Sequence, residues 1–371
     1  MTNLYFHWRR LVAISIALMI GQIVYKLSRD FLSLPYIHLL VDFHFGFIRR
    51  ALVGAMMSLA LTKIPQWMPF ATGLTAIAIA FVLYLKLFQK TFGFSKGTAP
   101  LFVFLACSPF FFKNFILTVG YFDVIGCAFA IAMLLVPARS FWFVVLGATL
   151  SALLILIHNG QTLLFVPTIL FIVGMRYFVA KPVSRGEIAG GLALLALTAA
   201  VAAVPVFYGD VKVPKEEFLR YLQTRSLSAN KDWEQWISVW YDAPSVGMHY
   251  TWDVAPRQLY YIPVYVVLLA LDAPLIKYFR NSIDVLTPLH RHFVLAGMTG
   301  ITLAYVVVFV IVSDYSRWLS DWVVCMMLVL HLVKQLPSAR TVPLIESDNW
   351  RNISLGFIVA ILPRVGGVTP F

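Results

Sequence analysis

Charge is scarce in this chain. Of its 371 residues only 12% are Asp, Glu, Lys or Arg, while 60% are hydrophobic. Soluble domains carry about 25% charged residues and about 45–50% apolar ones. Too little polar surface remains to face water, so the composition excludes a soluble globular enzyme and leaves a polytopic membrane protein. Acidic residues are scarcest, 17 against 29 basic ones, for a formal net charge of +12. The basic excess falls in short loops between apolar runs, not in a stripe on a soluble module. It therefore reads as a topology signal, and no nucleic-acid partner is implied. The three cysteines, Cys107, Cys127 and Cys325, sit inside apolar runs without metal-ligand spacing. They build no disulfide framework and no zinc site.

Several motifs are also missing. There is no Walker-type phosphate loop, no G-x-S-x-G, no H-E-x-x-H and no Cys/His cluster. Internal repeats, low-complexity tracts and Gly/Pro-broken helix pairs in matched halves, the usual pointer to a secondary transporter, are not evident.

What is present is a series of apolar runs. A bilayer-crossing helix takes roughly 20 mostly apolar residues. Runs at about 10–26, 68–86, 99–118, 121–137, 141–157, 162–178, 188–207, 259–276, 293–313, 319–334 and 352–366 predict an all-α bundle of about eleven spans, ten to twelve, in one domain over 1–371. The first run follows Arg9 and Arg10 like a signal peptide but lacks a small-residue cleavage site, and reads as a retained helix. Basic residues then orient the chain. Lys86, Lys90 and Lys96, then Arg176, Lys181 and Arg185, then Lys277, Arg280 and Arg291, then Lys334, Arg340 and Arg351 all fall on the side of Arg9 and Arg10. The positive-inside tendency makes that side, and the N-terminus, cytoplasmic.

This holds only if Ile48–Ile64 does not cross. Gly54, Ser58 and Thr62 form a small or polar stripe, with Arg49, Arg50 and Lys63 at the ends. The segment is therefore expected to lie on the outer surface, the alternative being a twelfth span. The stretch LVDFHFGFIRRALVG at 40–54 then belongs to an outer loop over 27–67, and it puts Asp42, Arg49 and Arg50 on the side where basic residues are disfavoured.

Other polar residues gather on the same side: Asp123, His158, and Asp314, Arg317 and Asp321 in VSDYSRWLSDW. Ionisable groups at membrane depth cost about 2.5–3.5 kcal/mol each on insertion scales and face a cavity or a partner. Together they predict a polar cavity open to the outside. Plainer roles stand beside this. Asp314, Arg317 and Asp321 share a helix face and can pair. Asp123 can cap a helix, His158 can sit satisfied at the interface, and Arg49 and Arg50 can hold lipid headgroups. A long loop, 208–258, carries Trp233, Trp236 and Trp240 on one face of a short helix. They would anchor it at the interface or wall a sugar site.

These residues resemble the C-type glycosyltransferase superfamily, polytopic enzymes that use polyprenyl-phosphate-linked sugars. Asp42 matches the acidic residue of the first outer loop, Ile48–Ile64 the surface helix after it, and Asp123 in GYFDVIG the acidic residue of the second loop. LACSPFFFKNFILTVGYFD looks like the run leading into that loop. The likeness covers roughly 8–140. FGFIRRALVG, the His at a later helix end and DYSRWL resemble a bacterial set of such proteins. A D-x-D metal pair is absent from the second loop, where Tyr121-Phe122-Asp123 stands, so no metal cofactor is implied. A polyprenyl-phosphate donor needs a carboxylate base and cations for the leaving phosphate. The resemblance implies Asp42 as base, with Asp123 and His158 orienting the acceptor or sharing that role. It implies Arg49, Arg50, Arg317 and, less directly, Lys113 as phosphate ligands, with Asp314 and Trp236 lining the substrate site. The expected partners are membrane lipids, a lipid-linked sugar donor and a glycan or lipid acceptor, at the periplasmic face of a bacterial inner membrane. A flippase or exporter, or a polymerase, of lipid-linked glycans would use the same cations for docking.

Overall fold

The computed structural model describes residues 2–29, 32–180, 182–228, 233–242, 244–259 and 261–363. Lys181 and the end of the helix expected over 352–366 lie outside the described residues. Among the described residues every regular element is a helix, and the one β-contact is an isolated parallel bridge between Ile64 and Ser226. In chain order the helices are α1 (Thr2–Arg29), α2 (Ser33–Leu40), α3 (Leu52–Ser58), α4 (Met68–Thr91), α5 (Ala99–Ala106), α6 (Phe112–Leu117), α7 (Asp123–Leu135), α8 (Trp142–Ile157) and α9 (Val166–Val173). They continue as α10 (Arg185–Tyr208), α11 (Lys215–Thr224), α12 (Glu234–Tyr241), α13 (Pro244–Leu259), α14 (Ile262–Leu271), α15 (Ala273–Asp284), α16 (Pro288–Ile311), α17 (Tyr315–Lys334), α18 (Pro337–Arg340) and α19 (Trp350–Ile361).

Among the described residues, six helical stretches are long and apolar enough to cross a membrane: Phe6–Ser28, Met68–Thr91, Asn159–Val179, Arg185–Tyr208, Pro288–Ile311 and Tyr315–Lys334. Met248–Arg257 and Ile262–Leu271, bent by 78°, would add a seventh as one broken span. The protein is thus an all-helical, multi-pass integral membrane protein. The helices differ in where their polar residues can go. α10 is apolar all round and has few buried positions, which suits a lipid-facing helix. α17 carries Arg317, Ser320, Asp321 and His331 and is buried along most of its length. Lipid would not solvate those side chains, so α17 takes the centre of the bundle.

The run over 99–118 is not one helix. Ser108-Pro109 separates α5 from α6, because proline lacks the amide hydrogen and disfavours helix at the residue before it. Ile48–Ile64 holds only the seven-residue α3, far below the roughly 20 residues a crossing takes. Its Gly54 lies against the end of α2: a Cβ there would sit 1.9 Å from the Val41 carbonyl oxygen.

The described residues form two apolar cores. The larger fills the bundle. The smaller joins α2, Ile48, Ala51 and Ile64 to Val211, Phe218, Leu222, Trp233, Ile237 and Trp240. The first loop and the long loop thus fold together into a cap. Ile64 N–H donates to the Arg225 carbonyl at 2.8 Å, and Leu227 N–H to the Ile64 carbonyl at 3.1 Å. Tyr36 Oη donates to the Ile64 carbonyl at 2.5 Å. Trp233 and Trp240 are fully buried in this core, so neither anchors the loop in lipid nor walls an open site. Trp236 is half-buried and packs against the same core.

Candidate functional site

Five of the candidate residues, Arg50, Asp123, His158, Asp314 and Arg317, converge where the cap meets the starts of α7 and α17. α7 begins at Asp123, directly after a turn whose Gly120 has φ +89°. The turn lies tight against α4, since a Cβ on Gly73 would sit 2.4 Å from the Gly120 nitrogen. Asp123 does not cap its own helix. Its carboxylate receives the Arg317 Nε at 2.7 Å and the Gln161 Nε2 at 3.3 Å. Arg317 also reaches Asp314 Oδ2, more loosely, at 3.4 Å. Its guanidinium lies 4.3 Å from the Tyr121 ring centroid and 4.2 Å from that of Trp318. The expected pairing within Asp314, Arg317 and Asp321 is met only between Arg317 and Asp314. The main partner of Arg317 comes from another helix, and both buried Asp321 oxygens lack a hydrogen-bond partner. Burial raises the Asp314 carboxyl above its ordinary value, although Arg317 opposes this.

Asp42 lies in the cap. Arg225 Nη1 pairs with it at 2.7 Å, and Tyr221 Oη donates to both carboxylate oxygens at 2.9 and 2.8 Å. The His44 amide donates at 3.0 Å. Its partners thus come from the long loop, not from the adjacent arginines. Burial and the bond to Asp42 push the Tyr221 hydroxyl up to about 12, so it stays a donor. These three donors occupy most of the carboxylate's lone pairs and leave little room for an acceptor hydroxyl, which weakens the expected base role of Asp42.

Arg49 and Arg50 part company. Arg49 is a strut: it donates to the Val239 and Asp242 carbonyls at 2.8 and 3.1 Å and pairs with Asp210 at 3.2 Å. Trp240 Nε1 donates to its carbonyl at 2.9 Å. Arg50 turns the other way because its backbone is left-handed, φ +64°, which L side chains rarely adopt. Its Nε donates to Asn159 Oδ1 at 3.0 Å. Among the described residues, no carboxylate lies within ion-pair distance of it. Burial, with Arg49 and Arg317 nearby, lowers its pKa to about 9, so it is cationic at neutral pH.

Two histidines complete the cluster. His158 ends α8, and its ring meets that of His38 from α2 at 6.1 Å. His38 packs against Phe122 at 5.4 Å and Trp240 at 5.2 Å. Neither ring nitrogen of His38 has a hydrogen-bond partner, and the Nδ1 of His158 has none. Burial first, then Arg50, holds both rings well below the ordinary histidine value, so both are neutral at pH 7. Unpartnered buried polar atoms are rare. Here they lie within reach of the Arg50 charge, which Asp123 offsets only in part.

Lys113 stands apart. It donates to the Val359, Ala360 and Leu362 carbonyls at the end of α19, at 3.3, 2.9 and 2.9 Å. It holds a helix terminus and touches none of the other candidates. His38, Asn159, Gln161, Tyr221 and Arg225 are absent from the set legible in sequence. His38 leaves one faint signal, a lone histidine in an apolar run four residues before Asp42. Among the described residues, no group of three or more His, Cys, Asp or Glu is placed to hold a metal ion.

No protein-family model matches the chain, and neither curated proteins nor solved structures give a match. Fold and site define a class only: a multi-pass helical membrane protein with a buried, cation-bearing polar cluster under a folded cap.

Proposed function

We propose that this protein is a membrane glycosyltransferase of the C type. It would transfer a sugar from a polyprenyl-phosphate-linked donor to an acceptor at the outer face of a bacterial inner membrane. One observation carries the reading: Arg50 is a cation without a carboxylate partner, set in a strained backbone beside two histidines with unpartnered ring nitrogens. Strain of this kind persists where the surrounding structure enforces it, often at functional sites. Arg50 and the imidazole N–H groups suit the phosphate of the donor. Asp123, fixed by Arg317, would receive acceptor hydroxyls, while Asp42 holds the cap through Arg225. His158 is the better base. Burial first, and then repulsion from Arg50, makes the imidazole resist a second proton. A phosphate bound at Arg50 would cancel that repulsion and raise the basicity of the ring, so the base would become competent only with donor in place.

The sidedness of the charges agrees with this reading. Lys90 and Arg176 both donate to carbonyls at the C-terminal end of α7, the end away from Asp123. In the proposed threading that end is cytoplasmic, as is the N-terminus. The three shorter apolar helices α7, α8 and α19, the broken run over 99–118 and the α14 region bring the crossings to about eleven.

The test uses purified protein in liposomes supplied with a panel of radiolabelled polyprenyl-phosphate sugars. Labelled product that depends on Arg50 and His158 is the expected result. Movement of intact labelled donor across the bilayer, without product, would replace the transferase with a flippase.

A further inference from the structure

The basic residues at the end of the bundle opposite the candidate site are not equivalent. Most of those just described are already engaged. Lys90 donates to the Leu134 and Leu135 carbonyls at 3.0 and 3.1 Å. Arg176 donates to those of Met133 and Val136. Lys334 donates to those of Ala339 and Val342. These cations close helix C-termini, where they satisfy free carbonyls and complement the helix dipole. Much of the donor capacity of these residues is already spent on carbonyls of the protein.

Lys277 and Arg280 on α15 differ. Lys277 makes no hydrogen bond or ion pair among the described residues. Arg280 has only a long contact to Asp284, 3.7 Å, and Asp284 is held more closely by Arg291 at 3.3 Å. Lys277 and Arg280 are three residues apart, hence on one helix face, and both are exposed. Their face continues into a groove of about 380 Å³ lined by Leu269, Ala270, Ala273, Ile276, Lys277 and Arg280. The groove exists because the chain breaks at Asp272 between α14 and α15, with Pro274 at the start of the second helix. Its wall is apolar along α14 and the first turn of α15, and cationic only at the far end. The opposite face of α15 is fixed to the protein: Leu275, Tyr278 and Ile283 are buried, and Lys334 lies 5.1 Å from the Tyr278 ring centroid.

We infer that this groove is a binding site for an anionic phospholipid. The phosphate would bridge Lys277 and Arg280, and the upper part of an acyl chain would lie along Leu269, Ala270, Ala273 and Ile276. The order of the lining matches the molecule: apolar toward the apolar α14, positive at the end where basic residues collect. A free anion would not need the apolar wall, and a neutral lipid would not need the two exposed cations, of which only Arg280 has a long contact to a carboxylate. Each Lys or Arg beside an anionic membrane surface contributes about 1 kcal/mol, about fivefold in affinity, so removing both should cost about 30-fold.

The test is native mass spectrometry of the whole protein in neutral detergent, titrated separately with phosphatidylglycerol, phosphatidylcholine and inorganic phosphate. The wild type should retain phosphatidylglycerol in preference to phosphatidylcholine and show no phosphate adduct at the same concentration. Lys277→Gln with Arg280→Gln should weaken phosphatidylglycerol about 30-fold and leave phosphatidylcholine unchanged. Ile276→Trp, which fills the groove and keeps both charges, should weaken it as well. Lys86→Gln removes another exposed cation and is the control. An equal loss with Lys86→Gln, or retention by Ile276→Trp, would show that the protein responds to general surface charge and overturn the site. Phosphate adducts that disappear with the same two charges would assign it to a free anion instead. All four positions are exposed, and thermal unfolding checks that each variant is folded.

Discussion

Arg317 and Asp123, 194 positions apart in the chain, meet at 2.7 Å where α17 crosses the start of α7. Both are almost fully buried. Removing one partner strands the other, which typically costs about 3–5 kcal/mol, whereas neutralising both is often close to neutral. Arg317→Met should therefore lower the unfolding temperature strongly, and Arg317→Met with Asp123→Asn should recover most of the loss. A double-mutant cycle on protein in detergent measures this. Independent, additive losses would show that the two charges do not depend on each other.

Arg50 separates stability from function. Its left-handed backbone costs roughly 1–2 kcal/mol for an L side chain and almost nothing for glycine. Losing the bond to Asn159 offsets about 1 kcal/mol of that gain. Arg50→Gly is expected to match or exceed the wild type in unfolding free energy and to lose binding of polyprenyl phosphate. Retained binding, followed by tryptophan fluorescence in nanodiscs, would move the phosphate site elsewhere.

Asp42→Asn probes the cap. It keeps the oxygen that Tyr221 and His44 use but leaves Arg225 buried without its counter-charge. Loss of cap stability by about 3 kcal/mol is expected, seen as faster proteolysis within 208–242, with Arg225→Met and Asp42→Asn together partly restoring protection. If Asp42→Asn leaves the cap as resistant as the wild type, the carboxylate is available for chemistry after all.

His38 sets a pH dependence. In the fold its ring is held neutral by burial and by Arg50, whereas the unfolded chain takes up a proton near the ordinary value of about 6.5. Below that pH the unfolded state binds more protons, so stability falls as pH falls, by up to about 1.4 kcal/mol per pH unit for one such group. Above about 6.5 it adds no slope. His38→Phe, which preserves the stacking on Phe122, should flatten the decline between pH 6.5 and 5. The comparison is of unfolding temperatures across that range, and an unchanged slope would mean that His38 is not the titrating group.

Much of the architecture was legible in the chain itself. Lipid imposes its requirement on each segment separately, so runs such as Ala189–Val206 announce a membrane helix without reference to any partner. The same reasoning singled out Asp123, His158, Asp314, Arg317 and Asp321 as costly at that depth and Arg50 as a basic residue on the outer side, and the fold brings Asp123, His158, Arg50 and Arg317 into one cluster. The apolar run over 99–118 concealed the break at Ser108-Pro109, which the expected single span passed over.

Tertiary structure decided the pairings. Nothing near Asp42 in sequence points to Tyr221 and Arg225, and nothing near Arg317 points to Asp123 instead of Asp321. Arg49 and Arg50 are neighbours with the same side chain. One became a strut for the cap and the other a cation bonded to Asn159 without an ion-pair partner among the described residues, because a left-handed backbone at Arg50 sends the two guanidinium groups to different partners. Trp233 and Trp240 have the spacing of an interfacial anchor and instead fill a second core. Hydropathy is a property of each segment against its solvent. The partner of a buried charge is a property of which helices cross, and packing across the whole chain sets that.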